Sequence, residues 1–582
     1  MDLNLTRVDL CQLGTVSHRN TLTLMPKGKH PKQKFVVGED SGVVQCFRIK
    51  KGDVDQVFSV KSNGSEVDAV RAGGALGKKD RVFVCRGNVV EGFSKTGKRF
   101  FKFDTQLTDP LVGMFVEARQ LYCIQNYVYS MFEDAKDCDF YMSSDSMTAL
   151  TVEHVLTDDS DEKYDAVVGC HDSHIRVINK SEMCAEAVAA GPVECIVRNG
   201  VDKFTGKRST TAAQKSVIYG TSNGVVALMQ LQKTMTDEAK LVPGWKIQSE
   251  SRQAQVNCVE SFDMTMDDVF DVVVGRDDGV VQIYGFDMGE QPTKQYETST
   301  AESCRSLCAG VVSSHGFQEL VMCSFSGRVV SLTSERLYAA PDATDKKGRT
   351  KGKVASDEKA EVLQTQLREL RSRITTARGA EAVEKHKKRK SKKTKPKKGA
   401  SGEDILGVYG DRTLPALQKP FKTSSSFSFN PEDGTYKMTV EVPCELSMVL
   451  LQSSVHVNVV DLENNEAIMT KCPVDRSDPI NGKNAMLASY RCAEPMHRIE
   501  MAIRTVEGQY GTVQAFVIAD VEPRTAQIVK FEVAPLSLHT KVDGIEGFSE
   551  RPLNTLKFSG NFTIRQVHEW MGHLFPEFTS KL

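Results

Sequence analysis

The feature that most constrains this chain is a hairpin unit that recurs seven times in the N-terminal half: a short β-branched run, a small or polar turn, then a second alternating run. The clearest copies are FVVGEDSGVVQCFRI from Phe35, AVVGCHDSHIRVI from Ala166, VIYGTSNGVVALMQL from Val217, VVVGRDDGVVQIYGF from Val272 and LVMCSFSGRVVSL from Leu320. Weaker copies start at Val82 and Leu121. Spread over about 300 residues, seven units leave roughly 43 each, the length at which four short strands make one propeller blade. A lone four-stranded sheet buries only part of its surface, whereas a closed ring of sheets buries both faces of each. The reading is a seven-bladed β-propeller over 1–338, with the segment around Leu3 to Leu10 pairing with the last blade so that no edge is left open. Two unrelated β-sandwiches are the alternative, and the regular turn chemistry argues against them.

Residues 339–355 carry breakers and no periodicity, and read as a linker. Over 356–384 the pattern turns helical, with Ser356 as N-cap. Ala360, Leu367 and Ile374 fall on heptad position a, and Leu363, Leu370 and Ala377 on d. Such a short helix draws its stability from pairing, which predicts a coiled-coil partner; a lone helix docked on its own domain is the alternative. A basic flexible linker follows over 385–418, with Lys387, Lys388, Arg389 and Lys390 at its head. A nuclear-import signal or an attachment to acidic lipid headgroups is its other reading. Alternation returns over 419–521 as the strands of one antiparallel β-sandwich. Beyond Pro523, residues 522–582 offer a strand, IVKFEVAPLSL, and an amphipathic helix, FTIRQVHEWMGHLF, which read as the start of an incomplete α/β domain. The fold class is mainly β.

A formal charge of -1 on 582 residues argues against a chain built as a whole to coat nucleic acid. The first residues, MDLNLTRVDL, lack the apolar run of a secretory signal, and no stretch has the length of apolar residues that spans a bilayer. Fifteen cysteines, an odd number with no CxxC pair, point to reduced cytosolic thiols.

Several motifs mimic chemistry. Gly220 to Gly224 matches GxSxG, but strands flank it on both sides, so it reads as a hairpin turn. His568 and Glu569 open an apparent HExxH whose second histidine, His573, falls one residue late for a shared helix face. The segment AGGALGKKD from Ala72 lacks the spacing that wraps a phosphate. Asp263, Asp267 and Asp271 resemble the calcium loops of some propellers, with only a threonine at position three and no glycine at position six. The other reading makes Asp271, like Asp165, a strand-start residue capping a local turn. No set of nucleophile, base and orienting group emerges, so neither catalysis nor a cofactor is expected.

The order propeller, coiled coil, sandwich, mixed unit, together with IRTVEGQYGTVQAFV from Ile503, PLSLHTKV from Pro535, RPLNTLKFSGNFTIRQVHEW from Arg551, SYRC from Ser489 and FVVGEDSGVVQCFRIKKG from Phe35, closely resembles the Bardet-Biedl syndrome protein 7 family. These are subunits of the ciliary cargo coat called the BBSome. The resemblance implies a γ-adaptin-ear-like sandwich, a platform domain beginning near Val521, and C-terminal helices that would lie past Leu582. It implies pairing with the sister subunit Bardet-Biedl syndrome protein 2 through the coiled coil. It further implies contact with other BBSome subunits and, through the assembled complex, with ciliary membrane-protein cargo and a membrane-recruiting Arf-like GTPase. The expected places are cytoplasm, cilium, basal body and centrosome, peripheral at the ciliary membrane, with a role in cilium assembly and function. The rival class is a nuclear or nucleic-acid-associated scaffold using the basic tract. A steep salt dependence lost with residues 385–398 would mark it.

Overall fold

The computed structural model describes residues 3–335 and 421–575 apart from short internal stretches, the longest being 473–484 and 540–556. The heptad positions from Ala360 to Ala377 and the basic tract Lys387 to Lys390 lie outside the described residues.

Seven four-stranded antiparallel sheets form blades 1 to 7, spanning 22–61, 69–104, 113–142, 147–188, 193–247, 256–299 and 304–333. Each hairpin legible in the sequence forms the second and third strands of a blade. The chain supplies only three strands to blade 7 in order. Its fourth is the N-terminal strand Thr6–Gln12, which pairs antiparallel with Arg328–Thr333, matching Thr6 to Thr333 and Gln12 to Arg328. The ring therefore closes by joining its first strand to its last blade, and the edge that an open ring would expose is paired.

Apolar strands buried on both faces meet across the blade boundaries, and valine dominates several of them. Ile218 and Val226 of blade 5 pack with Val256, Val272 and Val274 of blade 6, and Val36 and Val44 of blade 1 with Val82 and Val84 of blade 2. The close approach depends on glycine: a Cβ on Gly220 would meet a Val256 methyl at 2.4 Å, and one on Gly38, Gly169 or Gly275 would meet the next blade just as tightly. Polar ties add to this. Arg86 donates to the Gly42 carbonyl of blade 1 at 3.1 Å, and Arg276 to the Gly224 carbonyl of blade 5 at 2.8 Å.

Residues 421–535 form a seven-stranded antiparallel sheet folded on itself. Two 19-residue strands, Thr435–Ser453 and Met486–Arg504, run through both layers. Their mutual register breaks between Glu441 and Leu446, where Pro443 and Pro495 interrupt the ladder and let both strands bend from one layer into the other. The sequence reads MLASYRC and RIEMAIRTV as separate strands, and the structure makes them two halves of one. Tyr436, Met438, Val449, Leu451, Ile499, Met501, Val517 and Phe531 share the core between the layers.

One boundary differs from expectation. The strand Ala526–Val533, placed above in the platform beginning at 522, pairs over its whole length with Gly511–Ala519. The sandwich therefore runs on to Val533, past the point at which the sequence reads as a boundary, because a proline signal fits a turn as well as a linker. The amphipathic segment forms the helix Ile564–Leu574, opened by a capping box between Thr563 and Gln566.

Candidate functional site: a charged joint between propeller and sandwich

The strand TYKMTVEV places Tyr436, Met438, Val440 and Val442 inward, so Thr439 and Glu441 point out of the sandwich. Both are nevertheless buried, because that face lies against the propeller. Glu441 reaches the start of blade 7. Its carboxylate accepts from the Ser303 amide at 2.7 Å, the Ser303 hydroxyl at 2.6 Å and Arg305 Nη2 at 3.0 Å. The same Arg305 nitrogen donates to Ser424 Oγ at 2.7 Å, and its guanidinium lies over the Phe325 ring at 5.0 Å.

A second strand of ties runs beside the first. Arg498 Nη2 lies 3.5 Å from Asp277 Oδ2 in the blade 6 hairpin, while Arg305 Nη1 stands 3.8 Å from Asp277 Oδ1. Glu500 holds Arg498 and receives Lys437 at 2.6 Å. Asp277, Arg305, Glu441 and Arg498 surround a polar cavity of about 110 Å³ that Arg19, Ser425 and Thr439 also line. At the rim, the Lys422 ammonium sits between Asp40 and Glu66, with His18 Nε2 2.9 Å from Asp40. His18, Asp40 and Glu66 bring ligand atoms close enough to hold a cation, and Lys422 supplies one.

Electrostatics follow from these placements. Burial pushes the Glu441 carboxyl up against the pull of Arg305 and Ser303. At Asp277 burial also works upward, but Arg305 and Arg498 outweigh it and hold that carboxyl below its ordinary value. Asp40 is likewise lowered, burial being outweighed by Lys422 and His18. With side chains 11% and 4% exposed, Arg305 and Glu441 form a desolvated pair whose net gain is small but whose rupture leaves a lone buried charge. Such an arrangement fixes an orientation between two domains; it performs no chemistry.

The residues singled out from sequence take other places. Asp271 turns its carboxylate inward to the amides of Met264 at 2.9 Å and Thr265 at 3.2 Å, while Asp263 accepts from the amides of Asp267 and Asp268. Asp165 accepts from the amides of Val155, Leu156 and Thr157, and Glu319 from those of Ser313 and Ser314. In blades 4, 6 and 7 an acid at the start of the second strand thus caps the loop before it. Burial, reinforced by Asp267 and Asp263, pushes Asp271 up to about 7. Gly220 to Gly224 is a turn between strands, as its flanks predict. The joint leaves little trace in the sequence, its one signal being an acid, Glu441, within the alternating strand TYKMTVEV.

Comparison with known proteins accords with this architecture. A family model described as "BBS7 beta-propeller" matches residues 22–334, and one described as "BBS7 GAE domain" matches 420–531. The mouse protein "BBSome complex member BBS7" is 31% identical, the alignment covering all of this chain and 75% of the relative. The chain belongs to the BBS7 family. The Caenorhabditis elegans "BBSome complex member bbs-7" is 26% identical, with 99% of this chain and 74% of that protein aligned. Among solved structures, the crystal structure of BBS1N in complex with ARL6DN is similar at 12% identity with a TM-score of 0.43, covering 58% of this chain and 98% of that one. As a BBS7-family chain, this protein is a scaffold subunit of the BBSome built from propeller and GAE domains, not an enzyme, and it works with other BBSome subunits in association with the cilium.

Proposed function

We propose that this subunit works as a rigid elbow in a coat that gathers membrane-protein cargo and carries it to and from cilia, and that cilium assembly depends on it. The observation that carries this reading is the buried joint, in which Glu441 of the sandwich is held by Ser303 and Arg305 of the propeller. A buried pair of this kind favours one arrangement of the two domains, because any shift that keeps one charge buried away from its partner leaves it desolvated and unpaired. The propeller presents loops to neighbours, and the helix at 356–384 selects Bardet-Biedl syndrome protein 2 through Ala360, Leu363, Leu367, Leu370, Ile374 and Ala377. Cargo and an Arf-like GTPase are reached through the assembled complex, peripherally at the ciliary membrane, with basal body and centrosome as staging places.

The test is the double variant Leu367→Ala with Leu370→Ala in the full chain, purified by affinity from ciliated cells. Removing one buried leucine costs about 2 to 5 kcal/mol, and about 1.4 kcal/mol is a tenfold change in affinity. Loss of the sister subunit from the eluate, with the propeller's thermal transition unchanged, is the expected result. Recovery at the wild-type level refutes the seam.

A further inference from the structure

The hub of the propeller encloses a cavity of about 190 Å³ to which the inner strands of all seven blades contribute. At one mouth Arg19, which also lines the joint cavity, pairs with Glu194 at 2.6 Å. At the other, the loop leaving blade 5's first strand crosses the hub. Asp202 folds it by accepting from the amides of Phe204 and Thr205, both at 2.8 Å, and Phe204 packs against the apolar cluster that joins Leu22 of blade 1 to Cys308 of blade 7. Lys203 of the same loop reaches Glu260 of blade 6 at 2.5 Å. The loop therefore works as a plug on a small chamber, not as an outward-facing surface loop.

Inside that chamber the charges do not balance. Arg19 and Lys203 each have a carboxylate, but Arg71 and Arg198 have none within ion-pair distance among the described residues. Arg71 donates only to neutral acceptors, the Met114 carbonyl at 3.3 Å and Asn20 Oδ1 at 3.1 Å. Arg198 lies over the Phe115 ring at 5.4 Å, a contact that leaves the edge of its guanidinium free to donate. Burial pulls Arg71 below its ordinary value. Arg71, Arg198 and Lys203 thus face one cavity lined by only two carboxylates, Glu194 and Glu260, each already paired, and this surplus of positive charge is costly unless something negative joins it. A guanidinium carries paired donors that match a tetrahedral oxyanion, and Thr23 and Thr151 line the same cavity.

We propose that the hub is a binding site for a small doubly charged oxyanion of the phosphate class, held by Arg71 and Arg198 and enclosed by the 199–209 loop. Ligand and plug then stabilise each other, because the anion neutralises the chamber that Lys203 and Phe204 close.

The experiment is titration calorimetry and thermal unfolding of the full chain with inorganic phosphate against chloride at matched ionic strength. Sulfate serves as a probe of shape and charge, acetate as a singly charged control. Glycerol 1-phosphate separates free phosphate from a phosphorylated organic ligand. The expected result is one phosphate per chain and a raised Tm, with sulfate effective and acetate not. Arg71→Gln and Arg198→Gln should each weaken binding about tenfold or more, as losing charge-assisted hydrogen bonds does. Should Arg71→Gln fail to fold by circular dichroism, Arg198→Gln decides alone. No phosphate response beyond chloride overturns the proposal, and so does binding that survives Arg198→Gln but vanishes when Lys387 to Lys390 are replaced.

Discussion

Blade meets blade across valine and glycine, and propeller meets sandwich across arginine and glutamate. The first contact repeats around the ring with small variations, as the cluster joining Ile218 to Val272 resembles the one joining Val36 to Val84. The second occurs once and rests on particular atoms, Glu441 against Ser303 and Arg305. Apolar contacts are non-directional and scale with area, so they supply stability and tolerate drift. A desolvated ion pair supplies little net stability but penalises every arrangement except one. The comparison teaches that the propeller is built to be stable and the joint to be oriented.

The sharpest way to break that contrast is Arg305→Ala, which strands Glu441 at the joint. Loss of one partner of a buried pair costs about 3 to 5 kcal/mol, and here the cost should appear as separation of the two domains. An enlarged radius of gyration in solution scattering, with the propeller's own melting transition unchanged, is the expected outcome; an unchanged radius would show that the pair orients nothing. Next in size is Gly220→Val, which drives a branched side chain into Val256 where even a Cβ stands at 2.4 Å. Overpacking of this kind costs about 1 to 3 kcal/mol. It should lower the propeller's Tm while leaving the radius of gyration unchanged, the reverse of the first variant.

The third effect concerns a loop cap and appears only as a dependence on pH. Asp271 titrates near 7 in the folded chain, against an ordinary carboxyl at 3.8. Between those values the folded protein holds a proton there that the unfolded chain releases, so this group adds stability as pH falls from about 7 toward 4 and subtracts it above 7. Asp271→Asn should remove that slope from Tm measured across pH 5 to 8, in steps of about one unit. A slope unchanged in the variant would assign the titration to another group.

Much of the propeller was legible because its physics is periodic. Alternating β-branched runs separated by Gly or Asp turns encode strands directly, and the count of seven follows from repetition. Even ring closure by the N-terminal strand could be reasoned, since a ring with open edges is unstable. The bent strands of the sandwich were not legible, because Pro443 and Pro495 give the same breaker signal whether a strand ends or turns a corner. For the same reason the breaker at Pro523 reads as a domain boundary, although the strands on either side of it pair with each other.

The amino-acid sequence by itself determined the strands, the ring and the family, because hydrophobic periodicity and turn chemistry act over neighbouring residues. Only the tertiary structure decided that Glu441, on the outward face of its strand, would be buried, and that Arg71 and Arg198 would share one chamber. Charges carry no period. Their partners lie more than a hundred residues away in the chain, as Ser303 does from Glu441, and only folding brings them together.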